Sequence, residues 1–155
     1  EGDETAQWLA TSRGARRVSG TSRNDRLFDS DFTLEDLSDY DPADYELSLL
    51  GSERVAGVDC HVLEAMPVNS ETDYAKRIMY IEKASGLLVR ALFMDDGGKT
   101  LREFELTERM TVDGVPFPRE VKMTTVGAGT FTTLRVGSVV SGEDIPDRYF
   151  NRGNL

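Results

Sequence analysis

The sequence predicts a mainly β domain built as an antiparallel meander. From Tyr45 onward, runs of about eight to ten residues with strand-like apolar patterns follow one another. Tight turns that carry glycine separate the runs, and Asp113 followed by Gly114 is a typical two-residue hairpin sequence. Helical patterns are few, so one or two short helices would have to cover a sheet of roughly seven strands. Either the sheet curls on itself, or part of one face stays open as a cavity.

The strand patterns follow in order along the chain. Two short ones, around 6–10 and 15–19, come before an acidic stretch at 27–37. Of the later runs, "YELSLLG" and "TLREFELTERM" are apolar on one face, whereas "KRIMYIEK" and "LLVRALFMD" are apolar on both. The remaining predicted strands are "VDCHVLEA", "FPREVKMTTV" and "TFTTLRVGSVV". Short helices are expected at "TLEDL" and within "SGEDIPDRYF".

Length and charge limit the classes of function. The 155 residues, 39% of them hydrophobic, form one domain that can bury its own core. A net charge of −10 repels nucleic acid and anionic headgroups at long range, so no nucleic-acid partner is expected. No apolar run reaches the ~20 residues that cross a bilayer, and the opening "EGDETAQW" has no signal-peptide pattern. Cys60 is the single cysteine, which excludes a disulfide within the chain.

The stretch "LFDSDFTLEDL" at 27–37 places four carboxylates among five apolar side chains. A helix–loop–helix calcium site would need Gly at its sixth position and Glu at its twelfth. Counted from Asp29, these positions are Leu34 and Tyr40, so the pattern fails. Paired carboxylates for acid–base catalysis would need a cleft and perturbed pKa values. A looser cation site at Asp29 and Asp31 stays as an alternative.

A capped short helix is the preferred interpretation of this stretch. Thr33 or Asp31 would cap the helix, and Glu35 and Asp36 would lie in its positively polarised first turn. Three apolar side chains would then pack inward: Phe32, Leu34 and Leu37.

No catalytic set assembles elsewhere in the sequence. His61 is the only histidine and adjoins Cys60, but neighbours on a strand point to opposite faces and cannot form a thiolate–imidazole pair. "DDGGKT" lacks the first glycine of a phosphate loop and is interpreted as a hairpin turn. A group of arginines favours a solvated strand face, with an anion site as the alternative: Arg13, Arg16, Arg17, Arg23 and Arg26. The sequence therefore predicts no enzyme, no metal site and no cofactor.

A series of motifs runs through nearly the whole chain, from 8 to 155. In order they are "ARRVSG", "SRNDRLFDSDFTLEDL", "GVDCHVLEAMP", "DYAKRIMYIEKASGLLVRALFMDDGGK", "VDGVPFPREVKM", "TFTTLRV" and "IPDRYFNRGNL". Their order and spacing resemble the outer-membrane lipoprotein-sorting proteins of the LolA/LolB-like superfamily.

The resemblance implies an open, incomplete β-barrel over an apolar cavity, with short helices as a lid. It also implies a periplasmic carrier that binds lipid or lipoprotein acyl chains, with an inner-membrane transporter or an outer-membrane acceptor as further partners. Family members begin with a signal peptide, a helix and further strands. Residues 1–155 are therefore expected to form a single half-barrel domain that lacks its N-terminal helix and first strands. An exposed strand edge would then be free to pair with a second copy as a homodimer.

Candidate cavity residues come from the predicted strands that supply the apolar faces of the sheet. They are Ile78, Tyr80, Leu88, Leu92, Met94, Phe104, Leu106 and Met123. The alternative for each is a core residue that touches no ligand. A second function hypothesis is an envelope protein-interaction or sensor module, accessory to a transporter or to stress signalling, that carries no lipid. A hydrolase is the third.

Overall fold

The structure, a computed structural model, describes residues 7–11, 14–18, 25–37, 41–68, 72–142, 144 and 146. A two-stranded hairpin comes first, and a seven-stranded antiparallel sheet follows, in which each strand pairs with the next in sequence. The predicted meander is confirmed. The strands are β1 (Gln7–Thr11), β2 (Gly14–Val18), β3 (Tyr45–Val55), β4 (Val58–Pro67), β5 (Lys76–Glu82), β6 (Leu88–Met94), β7 (Thr100–Val112), β8 (Val115–Thr125) and β9 (Thr130–Arg135). Within the described residues β3 and β9 pair on one side only, so this sheet is open rather than closed into a barrel.

Two hairpin turns have positive φ at both central residues. The φ angles are 48° and 84° at Ala56 and Gly57, and 49° and 82° at Asp113 and Gly114. Positive φ at both positions is the type I′ geometry, whose twist matches that of the flanking strands. The predicted hairpin at Asp113 and Gly114 is thus confirmed.

Helical structure in the described part of the chain is limited to single 3₁₀ turns at Leu27–Asp29, Glu35–Leu37 and Pro42–Asp44. The helix expected at "TLEDL" is therefore one turn long. The helix expected within "SGEDIPDRYF" lies largely outside the described residues. Over the ranges given above, no helix has the length and apolar character needed to span a membrane.

Both faces of the seven-stranded sheet carry a buried apolar cluster. On the face that we call the covered face, the cluster consists of Phe32, Tyr74, Ala91, Phe93, Leu106, Val121 and Met123. On the opposite face it consists of Cys60, Val62, Tyr80 and Val89. Because β5 and β6 contribute to both clusters, their predicted apolar character on two faces is confirmed.

The opposite face meets solvent around its small cluster. Arg90 pairs with Glu103 at 2.6 Å, and Lys122 pairs with Glu105 at 3.2 Å. The register places Arg90 opposite Glu105 and Glu105 opposite Lys122, so these cross-strand ion pairs share one side of the sheet. Such a row of charged pairs is typical of a solvated sheet face, whereas the covered face is overlaid by residues 25–37.

Candidate functional site

Residues 25–37 form a small closed loop on the covered face. The amide of Leu27 donates to the carbonyl of Phe32 at 2.7 Å, and Arg26 bridges to Thr33 in antiparallel fashion. Phe32, only 3% exposed, belongs to the buried cluster of that face. The loop thus inserts one aromatic side chain into the core and holds the following turn over the sheet.

Thr33 caps that turn. Its Oγ1 accepts from the amide of Asp36 at 3.3 Å, and the Asp36 carboxylate accepts from the amide of Thr33 at 2.7 Å. This reciprocal pairing is a capping box with Asp as its acid, and it confirms the predicted cap. Leu34 is half-buried, but the expectation that Leu37 packs inward is wrong, since it is 48% exposed. Successive side chains of a 3₁₀ turn are about 120° apart, so turning Glu35 and Asp36 towards the sheet directs Leu37 away from it.

Two buried ion pairs fasten the turn to the sheet. Glu35 pairs with Arg77, and Asp36 Oδ2 lies 3.0 Å from Nη1 of Arg102. Burial alone would lower the pKa of Arg102, but the adjacent Asp36 and Tyr74 raise it, so the guanidinium stays charged. Removing one partner of a buried pair typically costs about 3–5 kcal/mol. The turn is therefore held by charge as well as by its cap.

Three aromatic rings surround Arg77, and the hydroxyl of one of them also contacts Arg102. The guanidinium of Arg77 lies 5.1 Å from the ring centroid of Tyr45 and 5.5 Å from the rings of Tyr74 and Phe93. The hydroxyl of Tyr74 accepts from Arg102 at 2.5 Å. Burial, together with the nearby Asp36, raises the pKa of Tyr74 to about 12. Tyr74 is therefore a neutral phenol at ordinary pH.

A second polar anchor centres on Asp31, which is 3% exposed. Its carboxylate accepts hydroxyl hydrogen bonds from Thr125 at 2.6 Å, Thr130 at 2.7 Å and Thr132 at 2.9 Å. Arg26 adds an ion pair at 3.1 Å. Burial by itself would raise the pKa of Asp31, but the three hydroxyls and Arg26 outweigh it and lower the pKa. This carboxylate ties the loop to the β8–β9 hairpin.

The geometry does not favour the cation site considered for Asp29 and Asp31. Both carboxylate oxygens of Asp31 accept threonine hydroxyls, while Asp29 is exposed. Among the residues that the structure describes, no three His, Cys, Asp or Glu side chains are grouped so as to hold a metal ion.

An apolar cavity of about 280 Å³ lies between the turn and the covered face. Seven apolar side chains line it: Met79, Ile81, Leu88, Ala91, Phe93, Phe104 and Met123. Three charged residues complete the lining: Glu35, Asp36 and Arg77. The cavity is therefore mainly apolar, with three charged residues in its lining.

A second cavity, of about 320 Å³, adjoins the same turn. Its ionisable lining residues are Arg26, Asp31, Glu35, Asp73, Tyr74 and Arg102. We call it the charged cavity. Glu35 lines both cavities, so the turn at 33–37 lies between them.

The structure divides the eight candidate residues between the two faces. Leu88, Phe104 and Met123 line the apolar cavity, and Leu106 lies in the same buried cluster outside the lining. The other four are on the opposite face: Ile78, Tyr80 and Leu92 by their cluster, and Met94 by its register with Lys76. A strand that is apolar on both sides does not reveal which side meets a ligand.

Several residues that line the apolar cavity are not among the candidates predicted from the sequence. Met79, Ile81, Ala91 and Phe93 alternate with predicted candidates along β5 and β6. Alternation by two separates the faces only where the strand is regular, and the register shift beside Tyr80 and Ile81 puts Leu88 and Ala91, three residues apart, on the same face. No sequence pattern indicated the charged lining residues, because Glu35 and its ion-pair partner Arg77 are far apart in sequence.

The prediction that Cys60 and His61 point to opposite faces of their strand is confirmed. Cys60 is fully buried in the cluster of the opposite face, whereas His61 is exposed. Burial raises the pKa of the Cys60 thiol. The two side chains therefore point to different environments.

Comparisons with known proteins agree with this architecture. A family model described as "Uncharacterized protein" matches residues 1–155. No curated protein matches the sequence significantly. A DUF1329 family protein from Desulfovibrio piger superposes with a TM-score of 0.80 at 25% identity, over 97% of this chain and 64% of its own. A candidate outer membrane lipoprotein-sorting protein domain from Vibrio parahaemolyticus gives 0.86 at 24% identity, over 96% and 64%.

A LolA superfamily protein from Nitrosomonas europaea has the same fold, with a TM-score of 0.73 at 21% identity over 97% of this chain and 68% of its own. The chain thus spans 64% of the length of each of the first two structures. The chain belongs to the family of proteins described as uncharacterized whose model it matches throughout, and it shares its fold with these three solved structures.

Proposed function

We propose that the protein is a periplasmic carrier that holds an acyl chain of a lipid or lipoprotein in the apolar cavity, as part of outer-membrane lipoprotein sorting. The observation that carries the proposal is the cavity itself, where seven apolar side chains face a space of about 280 Å³ under a charged turn. The likeness of the fold to a lipoprotein-sorting domain and to a LolA superfamily protein supports it. An inner-membrane donor and an outer-membrane acceptor are the corresponding partners.

The volume suits part of one hydrocarbon chain. Small-molecule sites typically measure about 300–1,000 Å³, so this cavity of about 280 Å³ lies just below that range. Burial contributes about 0.8 kcal/mol per methylene, so eight buried methylenes would contribute roughly 6 kcal/mol before the costs of association. Affinity would then come chiefly from chain length.

The lining suits binding rather than turnover. Its polar members are Glu35, Asp36 and Arg77, and Glu35 is occupied by its ion pair with Arg77. None of the lining residues is a serine, cysteine or histidine, the side chains that most often act as nucleophile or base in acyl transfer. The proposed activity is therefore non-covalent carriage.

Two adjacent residues of β6 provide a matched test. Ala91 lines the cavity, and Leu92 packs on the opposite face. Ala91→Leu adds bulk inside the cavity, whereas Leu92→Phe adds bulk outside it. Displacement of a fluorescent fatty acid by unlabelled fatty acids of increasing length is measured for the parent and for both variants, and thermal melting of each protein verifies folding.

If the carrier proposal is correct, the parent binds the fluorescent probe and binds longer fatty acids more tightly than shorter ones. Ala91→Leu should weaken binding about tenfold or more, because its added carbons remove room for about three methylenes, while Leu92→Phe should bind as the parent does. Equal loss in both variants, or a folded parent that binds no probe, would defeat the proposal.

The edge of the sheet favours a second candidate, a protein-interaction module. Along β3, Leu47, Leu49 and Leu50 are exposed, and within the described residues this strand pairs on one side only. Such an edge can add a strand from another chain, including a second copy. Sedimentation of the parent and of Leu49→Lys tests for pairing at this edge. A dimer of the parent that is lost in the variant supports edge pairing. A parent that is monomeric at all concentrations removes the homodimer.

A further inference from the structure

The apolar cavity and the charged cavity share one wall. Glu35 lines both, and Asp36, the next residue of the turn, lines the apolar one. A hydrocarbon chain in the apolar cavity would therefore end beside the charged cavity. The charges there determine which headgroup fits.

Most of those charges are already paired. Arg26 pairs with Asp31 at 3.1 Å, and Arg102 pairs with Asp36 at 3.0 Å. Glu35 pairs with Arg77, which lines the apolar cavity. Each of these carboxylates thus has its own guanidinium.

Asp73 is the exception. It lines the charged cavity, it is exposed, and within the described part of the chain no hydrogen bond or ion pair involves its carboxylate. It therefore leaves the cavity with one unbalanced negative charge.

Asp36 adds an unsatisfied acceptor at the shared wall. Its side chain is 3% exposed, and the contacts from Thr33 and Arg102 all go to Oδ2. Among the described residues Oδ1 has no hydrogen-bond partner. A buried carboxylate oxygen without a donor is costly, and this cost favours a ligand that brings a donor to it.

We propose that the charged cavity receives a cationic headgroup with N–H donors, of the primary ammonium class, whose alkyl chain fills the apolar cavity. Asp73 supplies the opposite charge in the charged cavity, and Asp36, which lines the apolar cavity, supplies an acceptor oxygen where the chain meets the headgroup. The proposal rests on the proposed function, because it assumes that the chain occupies the apolar cavity.

Four ligands with the same twelve-carbon chain separate the contributions. They are dodecylammonium, dodecyltrimethylammonium, dodecanol and dodecanoate, each used below its micelle concentration or, for dodecanol, its solubility limit, to displace the fluorescent probe at low salt. The proteins are the parent, Asp73→Asn, and the matched control Asp96→Asn. Asp96 is exposed in the turn between β6 and β7, outside both linings, so the control changes net charge equally.

The parent should bind dodecylammonium about two- to fivefold tighter than dodecanol, the scale of one partly solvated charge pair, and dodecanoate weakest. Dodecyltrimethylammonium, which has the charge but no N–H donor, should bind more weakly than dodecylammonium. Asp73→Asn should abolish the preference for the cation, and Asp96→Asn should keep it.

If Asp73→Asn and Asp96→Asn lose the preference for the cation equally, the preference comes from overall charge and the inference is overturned. A dodecanoate affinity equal to that of dodecylammonium would overturn it as well, while leaving the carrier proposal in place. Failure of all four ligands to displace the probe from the folded parent would instead remove the carrier proposal, and this inference with it.

Discussion

Replacing Asp31 with Asn removes the charge that ties the loop at 25–37 to the β8–β9 hairpin while keeping the shape of the side chain. In the parent, Oδ1 accepts from Thr125 and Thr130, and Oδ2 accepts from Thr132. All three oxygen–oxygen distances lie between 2.6 and 2.9 Å. The variant keeps one acceptor oxygen and places an NH₂ group where the other was.

The magnitude follows from these contacts. A hydrogen bond to a charged group contributes about 1.5–3 kcal/mol, roughly twice a neutral one. Asp31→Asn inverts one such bond and makes two others neutral, so unfolding free energy should fall by about 2–4 kcal/mol. That is a large share of the ~5–15 kcal/mol typical of a domain.

Urea unfolding followed by circular dichroism measures the loss. Asp29→Asn is the control, because Asp29 is an exposed aspartate of the same loop. The usual scatter of surface substitutions is about 0.5 kcal/mol. If the unfolding free energies of Asp31→Asn and Asp29→Asn agree within that scatter, the anchoring role is refuted.

The unfolding free energy of the parent should depend on pH through the Asp31 carboxylate. Because the folded-state pKa of Asp31 is lowered from 3.8, its carboxylate contributes fully above that value. The contribution is lost as the pH falls through the lower folded-state pKa. Asp31→Asn should therefore lose less stability than the parent in this acidic window, and parallel curves would contradict the assignment.

Three further outcomes follow from single side chains. Thr33→Ala should cost about 1 kcal/mol of unfolding free energy by removing the cap, and Thr33→Ser should restore most of it; equal stability of both variants would contradict the capping box. Tyr74 should titrate with a pKa of about 12 by phenolate absorbance, and Tyr74→Phe should remove that step. Cys60 should resist a disulfide reagent in the folded state and react on unfolding, since burial raises the pKa of its thiol; prompt native reaction would contradict its position.

Local patterns predicted most of the sheet. Alternating side chains and turn residues, such as Asp113 followed by Gly114, are determined within a few residues of each other, and the meander needs only neighbouring strands to pair. The cap at Thr33 was equally local. These features depend on short-range chemistry that one sequence displays.

The site was predicted less completely because it depends on long-range register. Ile78 and Met79 look equally apolar, and only pairing across the whole sheet shows that Met79 meets the cavity. The partnership of Glu35 with Arg77 joins residues far apart in the chain. The expected inward position of Leu37 failed for the same reason, because two ion pairs to the sheet determine the orientation of its turn.

Photo-cross-linking with a diazirine fatty acid, followed by peptide mass spectrometry, tests most directly whether an acyl chain occupies the apolar cavity. The carrier account predicts labels on covered-face residues such as Met79, Phe104 and Met123, all competed away by an excess of unlabelled fatty acid. Labels concentrated on the opposite face, at Tyr80 and Leu92, or labels that excess fatty acid does not remove, would contradict it.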